Sequence, residues 1–281
     1  MLTGVKRENM QAFLFLLPSL VGVAVFYVVA FVLSLSYVFT NRAGMFVGFE
    51  NFASLLHSQA FRLASFNTAR FMVIAVPLSM AVPFVLACVL FKLQGMAWLK
   101  TLFMTPLVIP TASVAFFFQS LFVSHGLLSQ LLGTNTNWLQ TDHALAIAVG
   151  IYVWRTLGFN LVLALATLAN IPQGYYEWAA IEGMGRWRMF WGITLVYAVP
   201  GLFIMFVMSF IHSFRIYREL YMLAGNYPHS GMYMLQHYMN NQFMWLNRQN
   251  LTTASLLTTL VVSVFMVGFF ALNKRADWGE A

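Results

Sequence analysis

The chain has 281 residues, of which 60% are hydrophobic and 8% are charged, and its mean hydropathy is +0.76. This composition leaves too little polar surface to cover a soluble globule and indicates an integral membrane protein. The net charge of +7 comes from cations scattered singly at the ends of apolar runs, which favours membrane anchoring over nucleic-acid binding. The single cysteine, Cys88, excludes a disulfide within the chain and a cysteine-rich metal site.

Charge-poor apolar runs follow one another along the chain, and each reaches the roughly 20 residues that a helix needs to cross a bilayer. Because the runs are continuous and do not alternate with a period of two, they predict an all-α polytopic membrane protein with a single domain over residues 1–281. The first run follows Lys6 and Arg7 but is longer than the apolar region of a signal peptide, so we expect a retained helix. The six runs cover 13–39, 71–91, 102–123, 144–168, 190–214 and 251–272.

The distribution of cations predicts the orientation of these spans. If the N-terminus is inside, the short inner segments hold eight cations and the longer outer segments hold six, so cations are denser inside. Both termini and the loop at about 173–189 are therefore expected in the cytosol. The second outer loop, 215–250, carries the turn signal NYPHSG and an aromatic, methionine-rich stretch, typical of either an interfacial anchor or a docking surface. The inner cations are Lys6, Arg7, Lys92, Lys100, Arg186, Arg188, Lys274 and Arg275, and the outer ones are Arg42, Arg62, Arg70, Arg215, Arg218 and Arg248.

The sequence lacks the motifs that an enzyme or an ion-coupled carrier needs. No P-loop occurs, so a partner must hydrolyse any ATP, and there is no nucleophile elbow or zinc-binding helix motif. The six histidines are dispersed, so no metal site is predicted and no cofactor is expected to bind this chain. All acidic residues are predicted to lie outside the spans, with Glu219 in the second outer loop, which disfavours a proton- or sodium-coupled carrier.

The fourth run carries the only charge predicted deep within a span, Arg155. Its helix face combines aromatic rings with hydrogen-bonding groups, and this mixture suits sugars, whose ring faces stack on aromatic side chains while their hydroxyls pair with polar groups. The fifth run has a second polar face, and the two faces could converge on a substrate path. Alternatively, Arg155 pairs with a neighbouring helix and the other residues only pack. The two candidate faces are Tyr152, Arg155, Thr156, Phe159 and Asn160, and Ser209, His212 and Ser213.

A polar insert between the fourth and fifth runs predicts a short exposed helix. Pro172 and Gly174 end the preceding helix, and carboxylates then fall near the N-terminus of a new one, where the helix dipole favours them. Gly183 and Gly185 interrupt this helix, and its small residues permit close approach by another protein. The residues expected to form this contact are Glu177, Ala179, Ala180, Glu182, Gly183, Met184, Gly185 and Trp187.

This insert resembles the EAA loop of permease subunits of bacterial ATP-binding-cassette importers, whose pattern is E-A-A, three residues, G, nine residues and I-x-L-P. Further segments resemble permeases of the carbohydrate-uptake, maltose-type subfamily: LFLLPSL at 14–20 and FVGFENF at 46–52 with Phe61, Asn67 and Thr68. The resemblance therefore covers nearly the whole chain. The positions that match the loop pattern are Glu177, Ala179, Gly183, Ile193 and Leu195, whereas Trp178 replaces an alanine and Val196 replaces a proline.

The resemblance implies a type I importer fold in the inner membrane of a bacterial cell. The chain would pair with a second permease, two ATPase subunits that bind ATP and Mg, and an extracytoplasmic solute-binding protein that delivers a sugar or oligosaccharide for alternating-access import. Alternatives are a non-sugar solute such as a phosphate ester or an amine, or a self-contained secondary carrier or channel. Counting from Glu177, the resemblance puts the family's sugar site on Tyr152, Thr156, Phe159, Ser209, His212 and Ser213.

Overall fold

The computed structural model describes residues 2–92 and 97–275, so the ends of the predicted domain at 1 and 276–281 lie outside the described residues. Within these ranges the regular structure is helical, with only an isolated β-bridge between Thr40 and Phe46. The all-α fold class is therefore confirmed. The helices are α1 Leu2–Val23, α2 Ala30–Phe39, α3 Glu50–His57, α4 Gln59–Lys92, α5 Ala97–Val108, α6 Thr111–Phe122, α7 Leu127–Leu131, α8 Ala144–Ala169, α9 Gln173–Ile181, α10 Arg186–Met189, α11 Leu195–Arg215, α12 Tyr217–Ala224, α13 Leu235–Met244 and α14 Arg248–Arg275.

Six helical segments in the described part of the chain are long and apolar enough to cross a membrane, as the sequence predicts. The second and fifth segments extend well beyond their apolar runs, because amphipathic turns continue the same helices past the apolar stretch. Short π-helical turns at Ala24–Val29 and Phe190–Thr194 join α1 to α2 and α10 to α11. The segments are Phe13–Phe39, Gln59–Phe91, Thr111–Leu131, Ala144–Ala169, Arg186–Ala224 and Arg248–Ala271.

The third predicted span, 102–123, is broken in the structure into α5 and α6. Pro110 has an extended backbone, with ψ 144°, and its ring disfavours helical geometry for the preceding residue. The prolines at 77, 83, 106 and 200 lie inside helices that continue past them. By length and composition the candidate segment here is Thr111–Leu131, which begins after the break at Pro110, and the bounds of the third span stay a prediction.

The described chain divides by packing into two compact units, and a single domain over residues 1–281 stays a prediction. The smaller unit contains the chain up to residue 61 together with the chain from residue 239, and α14 packs against α2 and α3 within it. Asn51 fastens α3 to the end of α2, because its Nδ2 donates to the carbonyls of Val38 at 2.8 Å and Thr40 at 3.0 Å. Arg248 Nη1 lies 3.4 Å from the Tyr37 hydroxyl, which links α14 to α2.

The larger unit, residues 62–238, is built around α8, which packs against α5 and α11. Glycine allows these helices to approach closely, as is usual where membrane helices pack. A Cβ at Gly158 would lie 2.8 Å from the Met104 Cα, and one at Gly201 would overlap the side chain of Thr167. Tyr152 is buried at the centre of this unit, with its ring 5.4 Å from that of Phe71. The packing therefore leaves little freedom for α8.

Asn67 and Thr68, which belong to the segment that resembles maltose-type permeases, fix the loop before α13. Asn67 Nδ2 donates to the carbonyls of Ser230 at 2.6 Å and Tyr233 at 2.9 Å. Thr68 Oγ1 accepts from the Leu235 amide at 2.8 Å. These bonds satisfy backbone groups at the start of α13, so α4 sets the position of the first turn of α13, residues 235–238, within the larger unit.

His237, in α13, is fully buried. Its Nδ1 accepts a hydrogen bond from the Met234 amide at 3.2 Å, and its ring lies 4.9 Å from that of Tyr217. Burial lowers the pKa of His237 from the ordinary 6.5 to about 4, because the charged imidazolium loses its hydration there. The imidazole is therefore neutral at physiological pH.

Candidate substrate path and coupling surface

A cavity of about 200 Å³ lies among α5, α6, α8, α11 and α12 in the larger unit. The two polar faces predicted from the sequence meet there, and the rings of Phe159 and His212 pack edge to face with their centroids 5.0 Å apart. Aromatic residues, a threonine and a histidine thus line one space, and their role in binding a substrate stays a prediction. The predicted residues at this cavity are Tyr152, Arg155, Thr156, Phe159 and His212.

The other three predicted path residues are buried between helices and do not line the cavity. Asn160 Nδ2 donates to the Ser79 carbonyl at 2.6 Å and to Ser209 Oγ at 2.9 Å, which ties α8 to α4 and α11. The Tyr152 hydroxyl donates to the Ser209 carbonyl. Ser213 Oγ donates to the Phe210 carbonyl of its own helix at 2.6 Å. In this structure Asn160, Ser209 and Ser213 therefore contribute to packing.

Arg155 is paired with Glu219, whose carboxylate was predicted to lie in the outer loop. Glu219 is 7% exposed in α12, and its Oε1 lies 3.4 Å from Arg155 Nε. Thr111 Oγ1, at the start of α6, lies 3.4 Å from the same oxygen. Burying one charge is costly unless an opposite charge is close, so these two residues compensate each other. No local pattern in the sequence signals this pair, since its members lie in different spans.

Arg155 also replaces a hydrogen bond that the break at Pro110 removes. In a continuous helix the carbonyl of Pro106 would accept from the amide of residue 110, but proline has no amide hydrogen. Arg155 Nη1 donates to the Pro106 carbonyl, and to the Ile109 carbonyl at 2.6 Å. The positive charge also lies at the C-terminal end of α5, where the helix dipole favours it. Arg155 therefore stabilises the broken third span.

Two further arginines, which the sequence analysis placed only in an outer segment, also line the cavity. Arg215 ends α11 and Arg218 lies in α12, and both are exposed. The backbone stays right-handed helical through Ile216, so the two residues lie on neighbouring positions of one helical surface. Their spacing of i and i+3 at the end of an apolar run is the sequence signal that could have identified them.

The predicted exposed loop forms α9, followed by a tight turn and α10. Gly183 has φ +72°, a conformation that favours glycine. The Gly183 amide donates to the Ala180 carbonyl at 3.1 Å and the Met184 amide to the Ala179 carbonyl at 2.9 Å, which is the Schellman pattern that ends helices. The Tyr176 hydroxyl lies 3.0 Å from Thr194 Oγ1, which fastens α9 to the base of the fifth span.

Residues 80–277 match the family described as binding-protein-dependent transport system inner membrane component. The chain belongs to this family. Two relatives are the trehalose/maltose transport system permease protein MalF of Thermococcus litoralis, 29% identical over 79% of each chain, and the lactose transport system permease protein LacF of Rhizobium radiobacter, 25% identical over 97% of this chain and 98% of the relative. A crystal structure of a bacterial ABC transporter involved in alginate import has the same fold, with a TM-score of 0.85 at 20% identity over 98% of this chain and 99% of that one. The resemblance and the permease fold inferred from the sequence are confirmed.

The permease exposes large apolar side chains around the turn after α9. Trp178, Ile181 and Trp187 are 72%, 85% and 73% exposed, and the ring centroids of Trp187 and Trp191 lie 5.6 Å apart. Exposed apolar patches on a polar loop are typical of surfaces that bind another protein. Of the predicted contact residues, Ala179 is buried and Met184 is half-buried, whereas Glu177, Ala180, Glu182, Gly183, Gly185 and Trp187 are exposed.

Proposed function

We propose that this permease is the transmembrane subunit of an ATP-driven importer. Together with a second permease it forms an alternating-access path for a sugar or oligosaccharide that an extracytoplasmic binding protein delivers. The observation that carries this proposal is the cavity beside α8, where Phe159, Thr156 and His212 line one space. An aromatic plane beside hydrogen-bonding groups suits the mixed apolar and polar surface of a sugar. The family supports transport that depends on a binding protein, and the names of the trehalose/maltose and lactose relatives support a sugar as the substrate.

Two ATPase subunits, which bind ATP and Mg, supply the energy in this proposal, and the permease itself binds no cofactor. Their contact with this chain is the exposed surface of α9 and the turn after it. Because the Tyr176 to Thr194 hydrogen bond and the π-helical turn Phe190–Thr194 connect this surface to α11, a displacement of α9 is transmitted to a helix that lines the cavity. Closure of the ATPases therefore moves the substrate path as a packed body.

The proposal places the chain in the inner membrane of a bacterial cell with both termini and α9 in the cytosol. The orientation follows from the higher density of cations in the predicted inner segments. Cysteines introduced at Trp187 and Asn226 in a Cys88→Ala background distinguish the two sides. An impermeant thiol reagent should label position 226 and not position 187 in intact cells, and the opposite labelling would reverse the topology.

Substrate-stimulated ATP hydrolysis by the assembled importer in proteoliposomes tests the function. Phe159→Ala and His212→Ala should weaken stimulation by the solute-loaded binding protein and leave basal hydrolysis unchanged. The loss of an aromatic contact or a buried hydrogen bond costs about 1–3 kcal/mol, which corresponds to roughly 5-fold to 100-fold weaker binding. Phe116→Ala, which removes an exposed ring from α6, is the control. Normal stimulation of both cavity variants would place the substrate site on the partner permease.

A further inference from the structure

The cavity contains more positive charge than its own residues neutralise. The arginines that line this cavity are Arg155, Arg215 and Arg218, and its one acidic residue in the described part of the chain is Glu219. Three positive charges against one negative charge leave a formal excess of two. A cleft of one sign with low-dielectric walls concentrates its field and attracts a solute of the opposite sign. The cavity is therefore electrostatically suited to an anion.

The excess charge resides on Arg215 and Arg218. Arg155 is bound by the Glu219 carboxylate and by the carbonyls of Pro106 and Ile109, so its charge is compensated and its position is fixed. Within the described residues, neither Arg215 nor Arg218 forms an ion pair or a hydrogen bond, and both residues are exposed and line the cavity. Their guanidinium groups are thus available to a ligand.

We propose that the solute carried by this permease is an anionic carbohydrate, bearing a carboxylate or a phosphate ester, and that Arg215 and Arg218 determine this specificity. This inference rests on the proposed function and adds the charge of the substrate. A guanidinium group matches the two oxygens of a carboxylate or phosphate with parallel hydrogen bonds. Phe159, Thr156 and His212 line the same cavity, so one solute contacts the arginines through its anionic group and the other residues through its sugar ring.

The test uses the assembled importer with its binding protein in proteoliposomes and measures stimulation of ATP hydrolysis by three probes. Maltotriose is uncharged, trigalacturonate carries carboxylates, and glucose 6-phosphate carries a phosphate ester, so the panel distinguishes neutral from anionic sugars and the two anionic groups from each other. We expect one or both of the anionic probes to stimulate hydrolysis. Arg215→Gln and Arg218→Gln should each raise the half-maximal concentration of that probe about tenfold at low salt, and less at high salt.

Arg70→Gln is the matched control, because Arg70 is an exposed arginine in the same unit that does not line the cavity. It should leave the half-maximal concentration unchanged. Stimulation by maltotriose alone would overturn the inference and leave the proposed function intact. Stimulation by no saccharide would overturn both. An unchanged affinity for the anionic probe in both cavity variants, at normal membrane insertion, would mean that the arginines anchor the helix at the lipid surface and do not bind the solute.

Discussion

Removal of Arg155 alone should destabilise the permease more than removal of Arg155 and Glu219 together. In Arg155→Met the Glu219 carboxylate stays buried without its partner, and the carbonyls of Pro106 and Ile109 lose their donor. Loss of one member of a buried pair costs about 3–5 kcal/mol. We expect the lower end, about 3 kcal/mol, because 21% of the Arg155 side chain remains exposed to water.

In Glu219→Leu, Arg155 keeps its two carbonyl acceptors and its partial exposure, so the expected cost is about 1–2 kcal/mol. The double variant buries no uncompensated charge and should lose about 2 kcal/mol, mainly because the two carbonyls lack a donor. The coupling energy between the two residues is then roughly 2–3 kcal/mol, well above the limit within which independent sites add.

Equilibrium unfolding of the purified permease in mixed detergent micelles, followed by tryptophan fluorescence, measures these differences. Arg215→Met is the control, since Arg215 lines the same cavity without an ion pair and its removal should change the free energy of unfolding by less than about 0.5 kcal/mol. If the double variant loses the sum of the two single losses, the two residues contribute no interaction energy to each other and the inference that Arg155 and Glu219 compensate each other is wrong.

Three further predictions concern other parts of the fold. Gly158→Ala should lower the free energy of unfolding by about 1–3 kcal/mol, because a Cβ there would lie 2.9 Å from the Phe103 carbonyl oxygen. Gly150→Ala in the same helix is the control, since a Cβ there meets nothing within 4 Å and the change should be neutral or stabilising. The contribution of His237 to the free energy of unfolding should be constant above about pH 6.5 and fall by up to about 3 kcal/mol as the pH approaches 4, because the unfolded chain protonates His237 before the folded chain does. Unfolding measured across this pH range should show a smaller slope for His237→Gln than for the unaltered chain. Gly183→Val should impair transport and substrate-stimulated ATP hydrolysis at normal membrane insertion, because the φ of +72° at this position strains a β-branched residue. Gly183→Asn is the control, since asparagine tolerates this φ. Equal transport by the two variants would mean that the turn after α9 has no role in coupling to the ATPases.

The sequence by itself determined the membrane class, the number of spans and the end of α9. These properties depend on residues that are close together in the chain. A run of apolar residues has to lie in lipid whatever its neighbours are, and a helix satisfies its own backbone there. Gly183 ends α9 through hydrogen bonds to Ala179 and Ala180, which lie within one turn of it. The loop that resembles the family motif was identifiable because its matching residues also lie close together in the chain.

Only the tertiary structure decided which polar residues face the cavity and which charge pairs with which. Asn160 follows Phe159 directly, but a rotation of about 100° per residue turns it towards Ser79 of α4. Glu219 meets Arg155 because α12 packs on α6 beside α8, and neither partner is near the other in sequence. The break at Pro110 created the acceptors for Arg155, and Arg155 in turn made that break stable. Such mutual dependence exists only after the helices have packed, because each polar group is satisfied by a residue from a different span.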